Sequence, residues 1–381
     1  MASASVTIFH NVVWSRHKGV VFSALHNISA ASPIKYSIVQ ISETEHFRLG
    51  FSDVDYAYHR YPMRKLFDGC YEDVPTWRMT YRLTMEVLRT RADLVVLPGY
   101  HRPEYWAMLV ACILTGKRRA VFCDSTGRDN PRRLLTSIPK RMFFSLCDGY
   151  FGFGERSREY LMSLGAKRER IFIPCQAAAL PLSFVPERAL DERVRARSGQ
   201  KPVFLFVGRL SEEKGVDALL DAFGEIVRRI PQARLRIVGT GPQGEALQKA
   251  THDAGLDHAV SFVGSLQDEA LSREYFGATC MVLPSFREPW GLVVNEALSH
   301  GCPVVVSDNC GCVPELVIDG LTGYAFRSGD AASLHRALLK ALEAFADTEN
   351  TARACMEVIE RFDPPHAASN IARGCAMMLT R

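Results

Sequence analysis

"LRIVGTGPQGEALQKA", residues 235–250, sets Gly239, Gly241 and Gly244 in a G-x-G-x-x-G spacing between an apolar run that reads as a strand and an alanine-rich run that reads as a helix. That is one βα unit, and the rhythm recurs along the chain. In the second half "PVFLFVG", "AVSFVG", "CMVLP", "PVVVSD" and "GYAF" are further short apolar runs, and in the first half so are "VTIFHNVV", "YSIVQI", "ADLVVLP", "RRAVFC", "GYFGFG" and "RIFIP". Short apolar strands alternating with helical sequence predict an open parallel sheet with crossover helices. Two such series predict two doubly wound α/β domains.

The three glycines also invite a dinucleotide reading. A dinucleotide site needs an acidic residue about 20 positions on, at the end of the next strand, to hold the ribose. Here that strand ends in Val263, Gly264 and Ser265, with no carboxylate, and "KPVFLFVGRLSEEKG" already takes the place of the domain's first strand. The glycines are therefore read as a tight turn from strand to helix, and no NAD or FAD is expected.

Composition limits the remaining choices. The 381 residues, 47% of them hydrophobic, can fill two cores. The opening "MASASVTIFHNVVW" lacks a basic segment leading into an apolar one and reads as a first strand rather than a signal peptide. "YWAMLVACILTG", from Tyr105, falls short of the ~20 residues of a membrane span. A cytoplasmic protein is expected. The eleven cysteines show no C-x-x-C pair, and Cys310 and Cys312 are the only close ones, so they read as buried reduced thiols, without zinc.

The net charge of +4 hides an asymmetry: residues 1–200 hold 29 Lys and Arg against 19 Asp and Glu, and residues 201–381 hold 17 against 23. The basic half either faces something anionic or is basic incidentally. No nucleic-acid partner is expected. Within it, "GRDNPRRLLTSIPKRMFFSL" interleaves Arg132, Arg133, Lys140 and Arg141 with Leu134, Leu135, Ile138, Met142, Phe143 and Phe144. That pattern fits an ordinary amphipathic helix, and equally a segment lying among anionic headgroups at the inner face of a membrane.

The stretch "PCQAAALPLSFVPERALDERVRARSGQK" combines proline punctuation with a charged helical run, and the domain boundary is placed near residue 195. After Pro364 and Pro365, "HAASNIARGCAMMLTR" sets Ala368, Ile371, Cys375 and Met378 on one helical face, which must dock on something.

Two segments carry candidate chemistry. "FVGRLSEEKGVDALLDAF" puts Gly208 and Arg209 at a strand's C-terminal end and Lys214 and Gly215 just before an amphipathic helix. Ligands of open α/β sheets bind outside those strand ends, and an Arg and a Lys there suit a diphosphate, although such cations are also common near turns. "PSFREPWGLVVNEALSHGCPVVVSD" places Glu288 in a loop and Glu296 in the first turns of a helix starting near Leu292. The Gly291, Leu292 and Val293 amides at that helix start are unpaired donors, ready for an anion.

With "GRLSEEKG", "RIVGTGP", "VSFVGSL", the E-x7-E pair Glu288/Glu296 with "WGL" and "NEAL", "GCPVV" and "PELVIDGLTGYAF" in this order over residues 200–330, the chain resembles glycosyltransferase family 4. These are retaining nucleotide-sugar transferases of the GT-B architecture. The resemblance implies two Rossmann-like domains facing a central cleft. Residues 1–195 bind the acceptor, 196–362 bind the donor, and the 363–381 helix crosses back to the first domain. It implies that Arg209 and Lys214 hold the donor diphosphate beside Gly208. Glu288 and the following amides contact the sugar, Glu296 binds the ribose, and the backbone at Val263 and Gly264 borders the base.

In the first domain, Gly19 of "SRHKGVVFSAL" resembles the family's glycine turn, where two adjacent glycines are usual. Where many members place a His near the donor sugar, "VFCDSTGRD" has Asp124, which accepts a sugar hydroxyl but cannot replace a His donor. His101 of "LPGYHRPEYW" is either a cleft residue or simply exposed.

The expected function is transfer of a hexose-type sugar from a nucleoside diphosphate sugar to a glycan or lipid-linked acceptor, without metal or other cofactor. Three alternatives remain. A sugar-nucleotide epimerase needs acid and base residues in the first domain, a glycan phosphorylase needs a pyridoxal lysine, and a non-catalytic nucleotide-sugar-binding subunit should lose the cleft charges.

Overall fold

The computed structural model describes residues 4–49, 53–128 and 134–380. The chain forms two units, Met1–Ala179 with Phe362–Arg381, and Leu180–Arg361.

The first unit is built on strands β1 (Ser5–Val12), β2 (Lys35–Ser42), β3 (Met63–Lys65), β4 (Leu94–Leu97), β5 (Arg118–Cys123), β6 (Gly149–Gly152) and β7 (Ile171–Phe172). They lie in the order β3-β2-β1-β4-β5-β6-β7. All pairs are parallel, with Ile8 opposite Ile38 on one side and Val96 on the other. Each face of the sheet carries its own core. One gathers Phe9, Val95, Leu97, Met108 and Phe143, and the other Ile8, Phe22, Val96, Phe122 and Phe151. β4 is four consecutive buried apolar residues, as expected of a strand covered on both faces.

The helix Pro364–Leu379 belongs to this unit. Asp363 caps it, its carboxylate accepting from the His366 amide at 2.8 Å. Ala368, Ile371, Cys375 and Met378, the predicted face, are buried together with Ala367 against Val21, Phe22, Leu25 and Phe151. Burial of the Ile371 and Met378 side chains contributes roughly 1.5–3 kcal/mol each. Asn370 adds a hydrogen bond from its amide nitrogen to the Pro174 carbonyl at 3.0 Å.

The second unit has β8 (Val203–Val207), β9 (Arg234–Val238), β10 (Val260–Gly264), β11 (Cys280–Leu283), β12 (Val304–Ser307) and β13 (Gly323–Phe326), ordered β10-β9-β8-β11-β12-β13 and again all parallel. Helix Val216–Arg229 seals one face through Val216, Leu219, Leu220, Phe223, Ile226 and Val227.

Sequence punctuation points to a boundary near residue 195, whereas the contacts divide the chain at Leu180. The reason lies in Arg193, on helix Pro186–Arg197. It is 2% exposed, and its Nη1 donates to the carbonyls of Tyr275, Phe276 and Ala278 at 2.9, 2.7 and 2.5 Å. These are carbonyls at the C-terminal end of helix Asp268–Gly277, which have no intrahelical partner of their own. The charged helix is thereby tied to the second unit.

Candidate functional site

In each sheet the order reverses next to the first strand, between β1 and β4 in the first unit and between β8 and β11 in the second. In open α/β sheets the ligand crevice lies outside the strand ends at such a reversal. In the second unit the loops there are Gly208–Gly215 after β8 and Pro284–Gly291 after β11.

The opening glycines serve this crevice by packing. A Cβ on Gly239 would lie 1.9 Å from the Gly208 carbonyl oxygen, and one on Gly241 would lie 2.4 Å from that of Leu210. Without side chains the two backbones lace together. The Gly208 amide donates to Val238 O at 3.0 Å, Leu210 to Thr240 O at 2.9 Å, and Gln243 to Leu210 O at 2.9 Å. The G-x-G-x-x-G turn is thus a brace for the loop that carries Arg209.

Gly215 takes the left-handed conformation, φ 64°, and a Cβ on it would meet the Pro284 carbonyl oxygen at 2.6 Å. This close approach brings the two loops together. Lys214 Nζ reaches Glu288 Oε2 at 2.5 Å, with both side chains largely buried, and Ser285 Oγ lies 3.5 Å from the same oxygen. Gly291, also left-handed, precedes helix Leu292–Ser299. The first helical hydrogen bond runs from the Val294 amide to Gly291 O, so the Gly291, Leu292 and Val293 amides come before it and point out of the helix end. Arg209 is half-buried on the braced loop, and among the described residues it forms no ion pair.

Glu296, one turn into that helix, accepts from the Tyr275 hydroxyl at 2.8 Å. Burial pushes its carboxyl up to about 7, and the Tyr275 hydrogen bond pulls the other way. Behind it His300 stacks on Tyr275 with ring centroids 5.1 Å apart, its Nδ1 2.7 Å from Glu296 O and its Nε2 2.9 Å from Ser272 Oγ. Burial lowers His300 to about 4, which keeps it neutral. Tyr275 and His300 were not legible in the sequence, since an aromatic inside "SREYFGATC" and a His before Gly301 carry no motif. Gly264, φ 74°, ends β10 and accepts the Gly239 amide at 2.7 Å.

The remaining candidates lie in the first unit. Gly19 is not in a turn between β1 and the helix: it is buried in the first turn of helix Arg16–Ala30 itself, its amide bonded to Ser15 O, and a Cβ would lie 3.0 Å from the His59 ring and the Tyr58 carbonyl. Asp124 is exposed just past β5. His101 is exposed after β4, edge-on to Tyr100 and Tyr105.

In the basic–apolar stretch, Arg132 and Arg133 lie outside the described residues. Phe143 and Phe144 are fully buried core residues, whereas Ile138 and Met142 are 64% and 55% exposed. Lys140 and Arg141 bond to Tyr160 Oη and Ser163 O. All eleven cysteines are buried. Among the described residues, His46, Cys70 and Asp73 offer the one group of three metal-ligand atoms, within 4.8 Å of one another, and His46 Nε2 already bonds Asp73 Oδ1 at 2.7 Å. No helix among the described residues is long and apolar enough to cross a membrane.

Two cations and three amides around one crevice can hold a diphosphate, and two carboxylates beside them can accept sugar hydroxyls. Comparison with known proteins agrees with that chemistry. Residues 187–355 match the family of glycosyl transferases group 1. The group 1 segment therefore contains every candidate residue of the second unit. The D-inositol 3-phosphate glycosyltransferase of Nocardia farcinica is 30% identical over 292 residues, 70% of this chain and 63% of that protein. The sulfoquinovosyl transferase SQD2 of Arabidopsis thaliana is 33% identical over 195 residues, 50% of this chain and 36% of that protein. The chain thus matches about one third to two thirds of the length of these relatives. Among solved structures, Anabaena Alr3699/HepE in complex with UDP and glucose superposes with a TM-score of 0.71 at 16% identity, over 98% of this chain and 100% of that one. The fold is of the GT-B type, with two Rossmann-like domains and a C-terminal helix returned to the first.

Proposed function

We propose that the chain is a retaining glycosyltransferase moving a hexose-type sugar from a nucleoside diphosphate sugar to a hydroxyl of a glycan or lipid-linked acceptor, in polysaccharide, lipopolysaccharide or glycolipid biosynthesis. The observation that carries this reading is the meeting of Lys214, Glu288 and the Gly291–Val293 amides at the β8/β11 crevice, inside the group 1 segment. The UDP and glucose bound by Alr3699/HepE support a nucleotide-sugar donor.

Breaking the anomeric bond leaves positive charge on the sugar and negative charge on the departing diphosphate, so the catalyst chiefly stabilises the leaving group. In this reading Arg209, Lys214 and the amides do so without a divalent metal. Glu288 faces the transferred sugar, Glu296 takes the ribose hydroxyls, and Gly264 borders the base. The acceptor attacks from the face the diphosphate leaves, and the departing phosphate takes its proton. In the first unit the helix start at Gly19 and Asp124 belong to the donor-sugar side. An Asp accepts a hydroxyl proton but cannot donate as a His does, so donor preference is read from the donor panel below.

The test is incubation of the full chain with a panel of nucleotide sugars, reading donor hydrolysis or transfer, with the anomeric configuration of product followed by proton NMR. Retained configuration is expected, activity in EDTA is expected to persist, and absence of turnover with every donor overturns the reading. A cytoplasmic location with peripheral contact at an anionic membrane completes the proposal. The outward Ile138 and Met142 beside Lys140 and Arg141 support it. Co-sedimentation with anionic but not neutral liposomes is expected, and no binding at low salt would refute the contact.

A further inference from the structure

A recess of about 560 Å³ opens at the amino ends of the first sheet, the edge away from the strand ends that open α/β sheets use for ligands. Strand register sets its floor on one face. Thr7 lies beside Ser37, Phe9 beside Val39, and Val39 beside Arg64 of β3, on the side where Phe9 and Val39 share a core with Leu83 and Val87 of helix Thr76–Arg89. Thr90, just past that helix, closes one side, its Oγ1 3.0 Å from Thr7 Oγ1. The helix adds Arg82, Glu86 and Arg89, at steps of four and three residues that place them on one stripe.

Glu86 organises the recess. Its side chain is only 6% exposed, and it pairs with two guanidinium groups from different elements, Arg64 Nη2 at one carboxylate oxygen and Arg82 Nη2, at 3.2 Å, at the other. A carboxylate so buried is costly unless it is paired, and here both oxygens are taken. The pairing fixes two cations side by side yet uses one nitrogen of each. A guanidinium carries five N–H donors, so most of theirs remain. Arg89 brings a third guanidinium, exposed and, among the described residues, without an ion pair or hydrogen bond. Three arginines against one glutamate leave two positive charges in excess around a cavity that also holds the Thr7, Ser37 and Thr90 hydroxyls. Like charges that serve only solubility lower their repulsion by spreading over a surface; here a buried acid gathers them at one cavity.

We infer that this recess is a second ligand site of the first unit and takes a sugar bearing an oxyanion. The anion meets Arg64, Arg82 and Arg89, whose planar forks match phosphate and carboxylate alike. Hydroxyl side chains both donate and accept, so Thr7, Ser37 and Thr90 suit a polyhydroxylated body. The volume falls within the ~300–1,000 Å³ of small-molecule sites. The inference goes beyond the transferase reading and does not rest on it, because the recess contains none of the residues given to the donor. Two sources share the chemistry, a phosphate ester and a uronate carboxylate.

Calorimetric titration of the full chain with glucose 6-phosphate, with glucuronate and with glucose tests the site in the wild type, Arg82→Gln and Arg89→Gln. An anionic sugar is expected to bind, and the tighter of the two identifies the source. Each variant is expected to weaken it about tenfold, the scale of one charge-assisted contact. Arg89→Gln is the cleaner of the two, since it leaves both Glu86 pairs in place and removes an exposed side chain. UDP should not displace the sugar. No binding of either anionic sugar at about 10 mM, glucose binding as tightly as its 6-phosphate, unchanged affinity in Arg89→Gln, or displacement by UDP overturns the inference. Failure of the wild type to bind UDP while the anionic sugar still binds would count against the transferase reading alone.

Discussion

Lys214 Nζ and Glu288 Oε2 stand 2.5 Å apart although 74 positions separate them in the chain. The contact exists because β8 and β11 are neighbours in the sheet, so loops distant in sequence leave the same edge. In the proposed reaction an incoming diphosphate would meet a lysine already held in place by a carboxylate, and Glu288 would be held ready to face the sugar.

Replacing Lys214 or Arg209 with Ala is expected to lower kcat about 10²–10³-fold, the scale of losing one stabilising donor in the transition state. Steady-state kinetics with the donor found in the nucleotide-sugar screen decides it. Unchanged turnover in either folded variant removes that residue from the leaving-group role.

Glu296 gives a pH signature. Its carboxyl is raised from 4.5 to about 7 by burial, so the native state holds a proton that the unfolded chain has released between those values. Stability is therefore full below about 4.5 and is lost as pH rises through about 7, by roughly 3 kcal/mol. Urea unfolding from pH 4 to 8 should show that slope in the wild type and a flatter profile in Glu296→Gln. Donor affinity should run the other way, improving as the carboxylate ionises, and identical profiles for the two proteins would count against the assignment.

Gly239→Ala puts a methyl where the Gly208 carbonyl stands, at a backbone φ of 132° that side chains rarely adopt. A loss of about 3 kcal/mol in chemical denaturation is expected, from overpacking and backbone strain together. Activity should fall further than stability explains, because the displaced loop carries Arg209. A variant as stable as wild type would mean that the brace is dispensable.

Arg193→Ala leaves helix-end carbonyls without a donor and the space of a buried side chain unfilled. A destabilisation of about 3–5 kcal/mol is expected, from buried carbonyls left unpaired together with the cavity the side chain leaves. Equilibrium unfolding measures it, and a change under 1 kcal/mol would show that the helix Pro186–Arg197 is not anchored there.

Periodicity made the sheets legible because a doubly wound domain writes each strand as a short apolar run. The start of the helix after Glu288 was legible from "WGL" and "NEAL" for the same reason, and the structure begins it at Leu292. Contacts made through sheet order were not legible. Tyr275 reaches Glu296 only because their helices flank neighbouring strands, and Arg193 looks like one more charge in "ALDERVRAR" until its carbonyl partners are seen. Phe143 and Phe144 show the converse. Letters compatible with a membrane face turn inward because the sheet needs covering. Glu86 is silent in "RLTMEVLRT", since burial of a polar residue is a tertiary property.

The helix Pro364–Leu379 supplies Ile371, Cys375 and Met378 to the core of a unit whose other residues end at Ala179. On the ribosome those two parts are made far apart in time. At 5–20 residues per second, the intervening 180–361 segment takes about 10–35 s to synthesise. Throughout that interval Val21, Phe22, Leu25 and Phe151 lack the helix residues that complete their core. The second unit is made in one run, so the amino-terminal unit is the last to complete its core.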